Sequence, residues 1–185
     1  MKLRENCRYD LATVSSVGVR ITPFNRQPVQ SSSLFEMQST SAETNVLNIS
    51  ASLGLDTLVM TRFVQDSAIA SFIKAELRKR NIGYTGPDIP QGGPWGYRHQ
   101  FNIADSGFGL RAPRVWNDRA GEVGRTLCIE DFDIERIFGT EGVGILHLSG
   151  LIAAMSHETT QCCLALAKAA KHSTVRSFRL TSTTA

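Results

Sequence analysis

The sequence predicts an α/β fold: a mostly parallel sheet with helices on both faces. Short apolar runs rich in β-branched residues alternate with helical stripes along the chain, the pattern of strands joined by crossover helices. Several of those runs carry almost no polar break, as expected of strands covered on both sides. At 185 residues and 42% hydrophobic content the chain has enough apolar material for one core, as a single domain or part of a larger one.

Taken in order, Leu11 to Ile21 reads as a first, largely buried strand, broken by Pro23. Ser31 to Thr40 is polar with Leu34, Phe35 and Met37 interspersed, the pattern of a half-exposed strand. Asn45 to Leu53 places Val46, Ile49 and Leu53 on one helical stripe, with Gly54 suited to the position after the helix. Leu58 to Val64 is a second buried strand. Ser67 to Arg80 is an amphipathic helix with Ile69, Phe72, Ile73 and Leu77 on one face and Ser67 as its cap. Its basic last turn complements the helix dipole, so Arg78-Lys79-Arg80 reads as helix electrostatics rather than a phosphate patch.

From Tyr84 to Asp118 glycines alternate with aromatic, polar and proline residues. Segments such as Tyr97 to Ile103 and Pro113 to Asp118 are expected to form a small exposed sheet. A helix is expected at Ile129 to Phe138, a short strand at Ile145 to Leu148, a helix from Ser156 to about Lys171, and a last strand at Val175 to Leu180. Ligands in such a fold sit beyond the C-terminal ends of the strands.

Composition narrows the function classes. The 20 basic and 17 acidic residues are scattered and leave a net charge of +3, which does not describe a nucleic-acid surface. The cysteines at 7, 128, 162 and 163 have no metal-ligand spacing, and the adjacent pair reads as buried thiols in a reducing cytoplasm. Met1 to Asp10 is charged and lacks the apolar core of a signal peptide, and Val143 to Met155 is too short to span a bilayer. A soluble, cytoplasmic protein is expected, without a membrane partner. GxGxxG after a strand, GxxxxGK[ST], HExxH and GxSxG are all absent. His147 reads as a core histidine; His99, His157 and His172 read as surface residues.

Certain segments resemble the ribokinase-like (PfkB-type) carbohydrate kinases, and among them the 2-keto-3-deoxygluconate kinases. "TSAETNVLNISASLGLDTLVMTRFVQDS" is similar to that family's GGAxxNVAxxLARLG opening and the strand after it. "VWNDRAG", Val115 to Gly121, resembles the substrate segment YDRAG, and "ILHLSGL", Ile145 to Leu151, resembles the LHLSGI strand. The segments occur in the family's order and cover almost the whole chain. The resemblance implies a three-layer αβα fold with a small projecting β-sheet that closes over the sugar as a lid and pairs with a second subunit. Residues 1–185 would be the N-terminal portion of such a kinase, with lid segments at about 31–40 and 84–118.

By the same resemblance Arg119 stands where the family's substrate-contacting arginine stands. A guanidinium fork matches a sugar acid's carboxylate; the alternative is a surface salt bridge with Asp118 or Glu122. Asn45 matches an asparagine near the sugar, at a helix start where backbone amides also point; a cap with no ligand role is the alternative. Tyr97, Trp95 and Trp116 would line the lid or pack as structure. Asp66 fits the family's acidic position or caps the next helix. The sequence departs from the pattern at Thr40 and Ser41, which replace a glycine pair beside the sugar, and at Asn117, which replaces a tyrosine. The expected ligand is therefore a sugar or sugar acid.

The family's later half supplies a GxGD segment, the nucleotide site for ATP, and an NxxE motif associated with Mg2+; none of these occurs here. No turnover is expected from this chain alone, and neither ATP nor Mg2+ is expected to bind it well. The ending "SFRLTSTTA" begins like the family's SFDLNYRA. Reading codons for DLNYRA one base later yields Thr-Ser-Thr-Thr-Ala, the residues Thr181 to Ala185. A polar tail is the other reading. A non-catalytic sugar-binding or dimerisation module, and a kinase remnant for a neutral sugar or nucleoside, remain the alternatives.

Overall fold

The computed structural model describes residues 6–172 and 178–181. Its centre is a parallel sheet ordered β11-β10-β1-β4-β6, formed by β1 (Tyr9–Val14), β4 (Thr57–Met60), β6 (Ile82–Thr85), β10 (Val143–Ser149) and β11 (Phe178–Thr181). Strand alternation sends Leu11 and Val59 to one face and Ala12, Val14, Leu58 and Met60 to the other. On the first face they meet Leu47 of α1 (Ala42–Ser52) and Ile73 and Leu77 of α2 (Ala68–Lys79). On the second they meet Cys162, Cys163 and Leu166 of α4 (His157–His172), with Phe132, Ile137 and Phe138 packed alongside. The result is the expected α/β sandwich in three layers.

A second sheet, ordered β3-β2-β8-β9, stands apart from the first. It joins β2 (Gly18–Pro23), β3 (Phe35–Thr40), β8 (Phe101–Asp105) and β9 (Arg114–Asp118). The glycine-rich region supplies β8 and β9 as expected, but Tyr84 lies in β6 of the central sheet. β5 (Phe63–Val64) and β7 (Asp88–Ile89) pair separately.

Leu11 to Ile21 is not one strand. It leaves the central sheet after Val14, crosses through the buried Ser15, Ser16 and Val17, and re-enters the small sheet as β2. Uninterrupted burial made the two halves look alike, because apolar content does not record which sheet a strand joins. Leu58 to Val64 divides in the same way, since Arg62 turns aside to Asp131 at 2.6 Å. The predicted helix at Ile129 to Phe138 is instead a short turn at Ile129–Asp131 followed by a wide helical segment at Glu135–Glu141. Asp131 explains the break: its carboxylate accepts the Cys128 amide at 3.0 Å and holds Arg62, which fixes the chain as a cap. His99 is buried rather than on the surface. α3 (Gly150–Ala153) follows β10 directly. Of the predicted last strand, Phe178 to Leu180 falls within β11; Val175 to Ser177, like Ser182 to Ala185, lie outside the described residues.

Candidate functional site

The C-terminal ends of β1 and β10 meet the N-terminus of α1. Ser41 caps the helix, its hydroxyl accepting the Thr44 amide at 2.9 Å. Glu43, in the first turn, is buried. A buried carboxylate is costly unless its oxygens are bonded. Here Ser15, after β1, donates to it at 2.7 Å, and Ser149, at the end of β10, donates to its other oxygen. Ser15 also lies 2.8 Å from the Ser41 hydroxyl. One side chain thus ties both strand ends to the helix, and the positive end of the helix dipole favours its charge.

Above this junction lies a cavity of about 200 Å³, bounded by the central fold below and the small sheet above. Register explains its roof. Gln38 of β3 pairs with Arg20 of β2, Arg20 with Asn102 of β8, and Asn102 with Asn117 of β9. Cross-strand partners share a face, so Gln38, Arg20, Asn102 and Asn117 form a polar row across the whole sheet. The neighbouring row, Met37, Ile21, Ile103 and Trp116, faces the other way.

Ser41, Asn45 and Arg119, singled out from the sequence, all line the cavity. Arg119 donates to both oxygens of Glu122 at 3.2 Å, and Glu122, with a side chain 0% exposed, also accepts the Ser16 hydroxyl. Asn117 lies at the far end of the polar row, outside the lining. Trp116 occupies the opposite face, stacked under Arg114 at 4.8 Å. Tyr97 and Trp95 lie on the exposed loop before β8, and neither lines the cavity. Asp66 is exposed, and Ser67, not Asp66, caps α2.

Arg20, Gln100, Asn102 and Glu43 also line the cavity, and sequence reasoning did not single them out. A signal existed for Arg20: within Gly18 to Pro23, apolar Val19 and Ile21 alternate with Arg20 and Thr22, the period of a strand with one polar face. Gln100 and Asn102 are 2% and 9% exposed. Gln100 donates its amide to the Ser16 carbonyl at 3.2 Å, which leaves its Oε1 buried without a partner, as is Asn102 Oδ1. The Nε of Arg20 is likewise buried and unpartnered.

The remaining titratable groups near the junction are tuned by burial. His99 donates through Nδ1 to the Val17 carbonyl at 2.9 Å and accepts the Val64 amide at Nε2 at 3.3 Å. Burial lowers its pKa, as it does for His147. Cys162 and Cys163 are pushed up by burial to about 12 and about 11, so both stay protonated thiols. Among the described residues no group of three His, Cys, Asp or Glu side chains is placed to hold a metal ion. No helix among the described residues is long and apolar enough to cross a membrane.

No family model matches the chain, and no curated protein does. Solved structures do. The fold is ribokinase-like, that of the PfkB carbohydrate kinases. The chain is similar to a PfkB protein from Polaromonas, with TM-score 0.81 and 18% identity over 96% of this chain and 56% of that one. It is similar to 2-dehydro-3-deoxygluconokinase from Thermotoga maritima, with TM-score 0.82 and 22% identity over 93% of this chain and 50% of that one. A sugar kinase from Pyrococcus horikoshii, solved in complex with ATP, matches with TM-score 0.72 and 15% identity over 92% of this chain and 52% of its own. The chain spans about half the length of the structures it matches.

Proposed function

We propose that this chain is the sugar-binding portion of a PfkB-type carbohydrate kinase whose substrate is a sugar or sugar acid of the 2-keto-3-deoxygluconate kind. The polar cavity beneath the small sheet carries this reading. Its buried, unpartnered acceptors on Gln100 and Asn102 suit hydroxyl donors, since a buried polar group without a partner is costly and a ligand hydroxyl relieves it. Ser41 and Asn45 offer further hydrogen bonds at the start of α1, and Arg119 borders the same space. The small sheet acts as the lid: with sugar bound, its polar row orients the hydroxyls and excludes water. In the whole kinase ATP supplies the phosphoryl group. The residues described here bind and position the sugar, and no transfer step is assigned to them.

Isothermal titration calorimetry of the full chain against sugar acids, neutral sugars and nucleosides tests this. Heat of binding for a sugar or sugar acid, abolished by Asn102→Leu, is expected. Binding confined to nucleosides, or none at all, overturns it.

A homodimer through the small sheet is a second element of the reading. Its supporting observation is the exposure of Phe35, Met37 and Trp116 on the face opposite the polar row. A second copy of the same sheet is the occupant that suits an apolar row of this kind.

A further inference from the structure

The cavity holds unequal cations. Arg119 is already neutralised: both oxygens of Glu122 lie 3.2 Å from its Nη1, and the fully buried Glu122 has little else to balance its charge. Arg20 lies in the same lining and makes no ion pair among the described residues; its Nε is buried with no acceptor in reach. Its Nε is thus withdrawn from water without a partner, a desolvation cost that an anion in the cavity removes. No described side chain supplies that anion, Glu36 included, which register sets opposite Thr22 on the same face but which forms no ion pair with Arg20. Register places Gln38 and Asn102 on either side of it, both neutral amides. Glu43, the carboxylate in the lining, is occupied by the Ser15 and Ser149 hydroxyls.

We infer that Arg20 is the residue that selects acidic over neutral sugars by pairing with the ligand carboxylate, while Arg119, held by Glu122, serves hydroxyls and shape. This deepens the sugar-binding reading above and rests on it. The arrangement divides the ligand chemically. Gln100 Oε1 and Asn102 Oδ1 accept from hydroxyls, so they recognise a polyol and are indifferent to its charge. Arg20 offers the unbalanced positive charge, so a ligand carrying a carboxylate gains a charge-assisted hydrogen bond that its alcohol counterpart lacks. The small sheet thereby reads charge at one position of its row and hydroxyls at the next.

The experiment compares D-gluconate with D-glucitol, an acid and a neutral polyol of equal length, by calorimetry on the full chain and its variants. The wild type is expected to prefer gluconate by about tenfold or more, the scale of a charge-assisted hydrogen bond. Arg20→Met should bring the ratio to within about twofold by weakening gluconate alone, and Arg20→Lys should restore part of the preference. Arg119→Met should weaken both ligands together. The inference is overturned if Arg20→Met keeps the preference, or if Arg119→Met is the variant that removes it; sugar binding itself would then still stand. Absence of binding by either polyol to the folded wild type overturns the sugar-binding reading along with the inference.

Discussion

His99 joins three segments of the chain through its two ring nitrogens. Nδ1 donates to Val17, on the crossing between the sheets, and Nε2 accepts from Val64. A protonated imidazole has no acceptor, so the Val64 bond requires the neutral ring. Burial is the largest cause lowering its pKa below the ordinary 6.5, and Lys74 of α2 acts in the same direction, while the Val17 carbonyl and Asp88 of β7 oppose it. The unfolded chain therefore takes up the proton at higher pH than the folded one. Stability is fully present above about pH 6.5 and is lost as pH falls towards the folded value. His147, also lowered by burial, adds to the same slope. Urea melts between about pH 7.5 and 5.5 should show declining stability, and His99→Gln should flatten that decline; an unchanged slope would reject the assignment. The sequence did not reveal this residue. An isolated histidine between an arginine and a glutamine carries no periodic signal, and its burial follows from where β8 enters the small sheet.

At the scale of elements, α1 is the piece on which the cavity floor depends. Its boundaries were only partly legible: the stripe of Val46, Ile49 and Leu53 pointed to a helix, yet the start at Ala42 is set by the Ser41 cap. Ser41→Ala should lower stability by about 1 kcal/mol, the usual worth of an N-cap. Glu43→Ala should cost more, about 2 kcal/mol or above, because it leaves the buried Ser149 hydroxyl without its acceptor and breaks the tie from Ser15 and β10 to the helix. Chemical denaturation of the two variants checks the order; equal losses would mean that Glu43 does not tie the strands to the helix. The strands of the central sheet were readable because each is buried on both faces and bounded by helices. β2 was not, since its partners β3 and β8 lie on either side of it in space, β8 some eighty residues on, a pairing that local pattern does not encode.

For the molecule as a whole, the alternation of strands and helices was enough to predict the three-layer core. The quoted motifs pointed to the ribokinase-like fold that the solved structures share. What the motifs did not convey was the division of polar and apolar side chains between the faces of the small sheet, which depends on register across four strands. The exposed Phe35, Met37 and Trp116 of the apolar face predict self-association. Sedimentation velocity should show a dimer that Met37→Glu shifts to monomer without loss of helical circular dichroism. A monomeric wild type would remove the dimer from the proposal.

The polar row has a consequence for how this sheet tolerates change in chain length. Alternation is binary: one residue gained or lost between Val17 and Arg20 would turn the guanidinium outward and bring Val19 or Ile21 over the cavity. Such an indel would also pull the buried Val19 out of the cluster it shares with Leu47, Ile73 and Leu77, so it would cost packing as well as put apolar surface where charge had been. Single substitutions at Gln38, Arg20, Asn102 and Asn117 keep the parity intact. A replacement and a change of length in this strand therefore act on different things: the first alters one side chain of the row, the second alters which row faces the cavity.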